Sequence, residues 1–504
     1  MRRGFLNKRG SAEKSARNDE QQQISMGPPG TDSTRDSPGQ RSKPLPSSAA
    51  AGTTAGLQSS LEFLKTLSPE DALRRTQIGG TLLCFDYPVG GMFSIDVVQW
   101  TVGKQFQGLK MLNPGQLHLL HYCPTPRNTS GVKTGMFVKF STGQVQALRW
   151  SETEEVLMHV PEEERKNLEK GVRSFAFDTG LGVHTWGSPA SNLWMKLSQY
   201  VCDETLQRCG IRVNASIFPG TAPEKQQGDA SGGSVDDGCY PTFTSLAVQR
   251  PQGLSAAEIS QWHLDKSRWL DVALEKKFRP NDLAKSSQRL KVSKHSLAAD
   301  LEACEAVFLG EFQLSFLLLH YLELQPGLEQ WKSLIAHIGD CQNAVARRPA
   351  LFSELLAAMR VQLRLVPEDF FVSDLSSGSF LEPALRSLLD NCHLALDQWK
   401  DTASTTESVG VKVKTSLQVR VTKLETFLAS RFIGWSYEGY IDCDTEVAAT
   451  EDLIELFEAM GEDAPALAAS SSPVRSTSVT LDTSESPARA RMDWMLPPQD
   501  SADK

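Results

Sequence analysis

Three side chains within six positions have the chemistry of metal ligands: His118, His121 and Cys123. Imidazole nitrogen and thiolate sulfur are the donors a zinc ion takes. Their spacing argues against a shared ion. The segment is strand-like, and residues three apart on a strand point to opposite faces. No second donor pair stands nearby, so the expectation is two strand histidines, one of them facing solvent. Asp369, beside Phe370-Phe371, is the nearest candidate for a catalytic acid. Pro367-Glu368-Asp369 is instead expected to open a helix or turn, with its carboxylates near an N-terminus. The nine cysteines, at 84, 123, 202, 209, 239, 304, 341, 392 and 443, are dispersed without a CxxC pair. They read as reduced, mostly buried thiols. The chain carries no P-loop, HExxH, G-x-S-x-G or dinucleotide fingerprint. No catalytic residue, cofactor-binding residue, cofactor or metal ligand is therefore assigned, and the chain is not expected to be an enzyme.

A different chemistry is written near the C-terminus. Between positions 441 and 465 stand nine acids and no Lys or Arg. Leu453, Leu456, Phe457 and Met460 recur there at i, i+3, i+4 and i+7, which is one stripe of a helix. An apolar stripe among acids suits docking into a basic-rimmed groove of a partner, so these four are the candidate partner-binding residues. Ser37, Ser472 and Ser486 each precede a proline and are candidate phosphorylation sites; each phosphate adds about −1.5 to −2 charge.

The elements that position these residues fall into two kinds. From 80 to 150, short apolar runs alternate with turns about every ten residues. Strands are expected at 81–85, 92–98, 109–111, 117–122, 135–140 and 145–150, the last two alternating as half-buried strands do. Helices are expected from 161 and over 192–206. Residues 210–252 read as a linker with a Gly/Ser/Asp-rich centre at 226–238. From 255 the period becomes helical. Ser255 and Glu258 form a capping-box pattern, and Ile259, Trp262, Trp269, Leu270, Ala273, Leu274 and Phe278 share one helical face. One or two buried helices over 297–324, then helices over 328–338, 349–365, 379–400 and 412–432, make an all-α stack of about six. The fold class is α+β. A disordered basic and polar tail covers 1–57, a β-rich N-terminal domain 58–209, the linker 210–252 and a helical domain 253–440. The acidic amphipathic segment 441–465 and a disordered tail 466–504 complete the chain. The tails hold too few large apolar side chains to offset a chain entropy of roughly 1–2 kcal/mol per residue.

Net charge is −9, from 61 acids and 52 bases. The acidic segment alone accounts for it, so the remainder is balanced. A nucleic-acid binder needs clustered bases to neutralise several phosphates, and direct RNA contact by the core is not expected. An RNA-binding protein is the alternative reading, and a hydrolase with a non-sequential site a third. No secretory signal follows the basic start, in which Arg2, Arg3, Lys8, Arg9, Lys14 and Arg17 suit nuclear import. No membrane span is expected, because the most apolar stretch, 306–324, carries Glu311, Gln313, His320 and Glu323.

Gly80, Pro88-Val-Gly90, Phe93, Ile95-Asp96, Trp100, Val102-Gly103, Phe106, Gly108, Lys110, Pro114-Gly115, His121-Tyr122, Phe137 and Leu148-Arg149-Trp150 follow one another in a familiar order. Gly310-Glu311-Phe312-Gln313, Trp331-Lys332 and the run from Val366 to Val372 follow later. In this the chain resembles the AAR-two family, the A-one cistron-splicing factors, over about 78–440. Ser94 stands where that family usually has Gly, one extra residue separates Gly115 from His121, and the linker and tails are long. The resemblance implies a β-rich domain followed by a VHS-like helical domain. It implies a non-catalytic, chaperone-like placeholder in assembly of the U-five small nuclear ribonucleoprotein for mRNA splicing. The implied partner is the central spliceosomal scaffold (pre-mRNA-processing protein eight), bound through its RNase H-like and Jab/MPN-like C-terminal region in the particle's precursor. The implied setting is nucleus and cytoplasm.

Overall fold

Ser68 accepts a hydrogen bond from Asp71 N–H and Pro69 takes the first turn, so the helix α1 (Pro69–Ile78) starts where its chemistry dictates. The computed structural model describes residues 63–126, 131–218, 238–249, 252–280, 294–368, 370, 378–401, 408–433 and 435. Ten strands follow α1: β1 (Gly80–Phe85), β2 (Gly91–Ile95), β3 (Val98–Thr101), β4 (Gly108–Leu112), β5 (Leu117–Pro126), β6 (Thr134–Lys139), β7 (Val145–Ser151), β8 (Val156–His159), β9 (Leu181–Val183) and β10 (Ser216–Ile217). They form two five-stranded sheets, ordered β8-β7-β1-β4-β9 and β10-β6-β5-β2-β3. The second is antiparallel throughout. The first is mixed, with β1 parallel to β7 and β4 parallel to β9. Between β8 and β9 lies α2 (Glu162–Arg173); after β9 come α3 (Pro189–Ser198) and α4 (Asp203–Arg208). Eight further helices are described: α5 (Ala256–Leu264), α6 (Ser267–Lys276), α7 (Lys294–Leu322), α8 (Gln325–Gly339), α9 (Ala344–Arg347), α10 (Pro349–Leu363), α11 (Gly378–Asp401) and α12 (Ser408–Arg431). A β-rich part followed by a helical part is the α+β class expected.

Several elements differ from the sequence expectation, each for a tertiary reason. The strand read over 92–98 is two strands, because Asp96 and Val97 make a two-residue hairpin turn with Ile95 paired to Val98. The helix read over 192–206 breaks between α3 and α4, where the Tyr200 N–H is taken by the Gln313 side chain 2.8 Å away. The face read from Ile259 to Phe278 belongs to two helices. Asp265 interrupts it, accepting from Ser267 N and Oγ and from Asn343 Nδ2. The stack has eight described helices rather than six. Ends of the expected linker are built in: Ile217 pairs with Gly135, Cys239 bridges to Ile217, and Ile211, Cys239 and Leu246 are buried.

The β5-β6 sheet has two buried faces. Leu120, Tyr122, Met136 and Val138 point into the core between the sheets. Leu117, Leu119 and Phe137 point the other way, into a core shared with Phe308, Phe312, Leu317 and Tyr321 of α7. Hence β6 is buried along nearly its whole length instead of alternating. Over Asp300–Leu322 helix α7 is long and apolar enough to cross a membrane, yet 72% of its most apolar window is buried against this chain. A helix of this kind belongs in a core or a bilayer, and here its Phe308, Phe312, Leu314, Phe316, Leu317 and Leu318 are at most 1% exposed. Each such side chain contributes roughly 1.5–3 kcal/mol of burial.

Candidate functional site

The hairpin turn at Asp96 creates the one cluster of potential metal ligands among the described residues. Asp96 has φ 55°, a conformation short polar side chains tolerate better than others. The turn hangs on β5: Asp96 N–H donates to Leu119 O (2.8 Å) and Leu119 N–H donates to Asp96 Oδ1 (3.0 Å). The other carboxylate oxygen, Oδ2, receives His118 Nδ1 at 2.7 Å and His184 Nε2 at 3.2 Å. His184 arrives from the end of β9, its N–H held by Lys110 O. All three side chains are buried, with at most 4% exposure.

The proton inventory defines the charges. His118 Nδ1 faces a carboxylate and its Nε2 faces the Asn113 carbonyl at 3.2 Å. Both neighbours accept, so both ring nitrogens must donate, which makes His118 an imidazolium. The titration behaviour agrees. Burial would lower the His118 pKa, but the Asp96 charge and hydrogen bond raise it. Burial would raise the Asp96 pKa, but the His118 charge and the bonds from His118 and His184 hold it below the usual carboxylate range. Burial lowers the His184 pKa, and its Nδ1 has no hydrogen-bond partner among the described residues, which fits the neutral Nε2–H tautomer. One buried ion pair with a neutral donor satisfies this geometry. The ligand atoms lie within 4.8 Å of one another, but the 2.7 Å Asp96–His118 contact is a charged hydrogen bond rather than two ligands spanning an ion. The cluster is a clasp joining the β2-β3 turn, β5 and β9.

Of the residues singled out for chemistry, His118 joins this clasp and His121 does not. The two do point to opposite faces, but neither faces solvent, which corrects the expectation. His121 packs on the helical part, its ring 5.1 Å from that of Tyr321. Its Nε2 lies 3.3 Å from the Asp96 carbonyl, and burial brings its pKa down to about 3. Cys123 pairs with Thr125 Oγ1 at 3.0 Å. Asp369 lies outside the described residues; Glu368 before it receives Arg431, and its carbonyl accepts Ile433 N–H. Leu453, Leu456, Phe457, Met460, Ser37, Ser472 and Ser486 also lie outside them. The sequence reading missed Asp96 and His184 as partners of His118. The Ile95-Asp96 signature was the only signal, and His184 is 88 residues away from Asp96.

The second dense constellation welds the two parts of the chain, and it uses Gly310-Glu311-Phe312-Gln313 on α7. A Cβ on Gly310 would sit 2.5 Å from the Tyr200 carbonyl oxygen and 2.7 Å from Thr205 Oγ1, so only glycine lets α7 approach the α3-α4 break. Glu311 accepts from Thr244 N–H, Thr244 Oγ1–H and Gln330 Nε2–H at 2.7–2.9 Å. Burial raises its pKa. Phe312 is fully buried. The Gln313 amide bridges, accepting from Tyr200 N–H and donating to the Lys196 carbonyl. Trp331 donates to Gln362 Oε1 at 2.9 Å, fixing α8 to α10. Lys133–Glu323 (2.7 Å) and Tyr200–Glu354 (3.1 Å) close the same seam at its edges. A cleft of about 440 Å³ beside the seam is lined by Asn113, Gln116, Leu117, Asn192, Met195, Lys196, Ser198, Gln199 and Val201. That lining holds no carboxylate, imidazole or thiol.

A two-sheet β part packed through the core helix α7 on an α-helical stack, with the Asp96–His118–His184 cluster buried, defines a two-part α+β class of protein. Comparison with known families gives the class a name. The AAR2 N-terminal domain matches residues 78–210 and the AAR2 C-terminal repeat region matches 242–438; the chain belongs to the AAR2 family. It is 25% identical over 373 residues to Protein AAR2 homolog of Homo sapiens, covering 66% of this chain and 88% of that protein. It is 26% identical over 354 residues to Protein AAR2 homolog of Caenorhabditis elegans, covering 67% and 94%. The Mus musculus protein of the same name is 24% identical over 374 residues, covering 66% and 88%. None of these names is that of an enzyme. Membership supports a splicing-related role.

Proposed function

We propose that this protein is a non-catalytic assembly factor for the U-five small nuclear ribonucleoprotein, acting in nucleus and cytoplasm. In this reading it binds the C-terminal RNase H-like and Jab/MPN-like region of the central spliceosomal scaffold in the particle's precursor. The observation that carries the reading is the family match, which covers both the β part and the helical part on either side of the weld. Two features support it. The weld makes one stiff body of both parts, so surface from each is presented to a partner without a further ordering cost. The Asp96–His118–His184 cluster is too buried to meet a substrate in this conformation.

The acidic segment with Leu453, Leu456, Phe457 and Met460 supplies a second, tethered contact. Such a segment binds weakly alone but adds affinity through effective concentration. Phosphorylation at Ser37, Ser472 and Ser486 tunes that contact by charge.

The test is titration of the full chain with the purified C-terminal fragment of the scaffold by calorimetry and size-exclusion chromatography. A one-to-one complex is expected, weakened by Leu456→Asp with Phe457→Asp at unchanged melting temperature. No complex at micromolar concentrations overturns the reading. A shift of bare RNA with a steep salt dependence favours an RNA-binding splicing factor instead.

A further inference from the structure

Helix α2 ends in a way the fold does not require. Ala176 N–H donates to Gly171 O (2.9 Å) and Phe175 N–H to Val172 O (3.0 Å). This is the Schellman pattern, whose residue after the cap takes the left-handed conformation and is usually glycine. Here that residue is Phe175, with φ 60°. An L side chain is strained in this region, and Phe has no polar atom to relieve the strain locally. Nor is the ring needed inside. Phe175 is 57% exposed, while Leu168, Val172 and Phe177 make the contacts that hold α2 on the sheet. A strained backbone presenting an exposed aromatic ring works against stability on both counts, which points to use of the ring elsewhere.

The charges around Phe175 indicate what it meets. The neighbouring acids are neutralised within the chain: Glu169 by Arg173 and Arg165, and Asp178 by Lys110. Lys170, five residues before Phe175, is exposed and makes no ion pair among the described residues. The same holds for Lys104, next to the Gln105 whose carbonyl abuts Gly180 at the end of this loop. Both lysines stand on segments that lead into or abut the α2-β9 loop, so the unpaired charge bordering that loop is positive.

We infer that Phe175, held out by the αL cap of α2, with Lys104 and Lys170 on the segments that border its loop, is an anchor that inserts into an apolar pocket rimmed by carboxylates on a folded protein partner. Resting on the function proposed above, that partner is the C-terminal region of the spliceosomal scaffold. An aromatic ring in a desolvated pocket is the usual form of an interface hot spot, and a carboxylate rim complements the two lysines.

The inference is tested with Phe175→Gly, because glycine is the residue the backbone prefers there. The full-length variant should melt at the same temperature as the parent or a few degrees higher. Its Kd for the scaffold fragment should weaken about 10- to 100-fold, the change that fully burying one Phe side chain corresponds to. Lys104→Glu with Lys170→Glu should slow association and flatten its salt dependence. A large drop in melting temperature for Phe175→Gly would overturn the inference by making the ring a packing residue. So would unchanged affinity, which leaves the proposed function standing if the parent binds. A parent that does not bind removes the function reading and this occupant together. Loss of a concentration-dependent dimer instead would make the occupant a second copy of the chain.

Discussion

Replacing Asp96 by Asn removes one charge from the clasp and puts a donor NH2 where Oδ2 accepts from His118 and His184. Asn has the same shape, tolerates the φ of 55°, and keeps an amide oxygen for Leu119 N–H. What it cannot do is balance the His118 imidazolium. Leaving one member of a buried pair uncompensated costs about 3–5 kcal/mol. Loss of the His118 Nδ1 proton relieves part of this, because the bare nitrogen can then accept from the new amide. We expect a loss of about 3 kcal/mol near pH 5.5, set against a total stability on the order of 5–15 kcal/mol, so the variant should still fold.

The pH dependence gives the prediction its sign. Asp96 is lowered, so its contribution is present above its unfolded pKa, about 3.9, and is lost as pH falls through the folded value. His118 is raised, so its contribution is complete below about 6.5 and is lost as pH rises through its folded value. Both hold fully only between about pH 4 and 6.5. Urea denaturation of parent and variant at pH 5.5 and pH 9 measures the difference. The gap should be widest at pH 5.5 and narrow at pH 9. A gap below about 1 kcal/mol at pH 5.5, or one that widens toward pH 9, refutes the buried ion pair.

Four further outcomes are expected. Gly310→Ala, which in an exposed helix would add about 1 kcal/mol of stability, should instead destabilise by about 2 kcal/mol or more through overpacking against Tyr200 and Thr205, visible as a lower denaturation midpoint. Glu311→Ala strips three donors of their acceptor and should lower stability by about 2–4 kcal/mol, whereas Glu311→Gln, which retains one carbonyl oxygen, should cost less in the same measurement. A protease cut between positions 226 and 238, outside the described residues, should leave two fragments that co-elute on size exclusion, because Leu117, Leu119 and Phe137 share a core with α7; fragments that separate under native conditions contradict the weld. His121, buried neutral with a pKa near 3, should make stability fall by about 1.4 kcal/mol per pH unit below pH 6.5, and His121→Phe should flatten that slope in denaturation midpoints from pH 6.5 to 4.5.

Ser94 illustrates how far a sequence signal reaches before structure must complete it. The resemblance put a glycine at this position, and in the fold the serine is fully buried with its Oγ unpartnered among the described residues. The residue type was visible in the sequence; the unpartnered buried hydroxyl was not. Likewise the Gly310–Gln313 signature stood out as a pattern, but nothing local tells that its glycine meets a carbonyl 110 residues earlier or that its glutamine interrupts another helix. The Asp96 clasp was the least legible feature. The run from Met92 to Val98 is continuous and apolar apart from Ser94 and Asp96, with no Asn-Gly or Asp-Gly to mark a turn. It bends because Asp96 is caught from β5 and β9.

Periodicity and turn chemistry alone determined that a β-rich part precedes a helical part, and they placed most strands and the long helices. Those signals arise within a few residues, where backbone sterics and side-chain spacing act. Tertiary structure alone decided what each strand face meets. A strand whose histidines stand three apart reads as half-exposed, and one of His118 and His121 was expected at solvent on that basis. Whether its outer face meets water or α7 depends on contacts some 200 residues apart in the chain, and such contacts leave no period in the sequence. The same holds for charge. His118 is a cation because two acceptors from distant segments close on its ring, and no property of the residues around it in sequence carries that information.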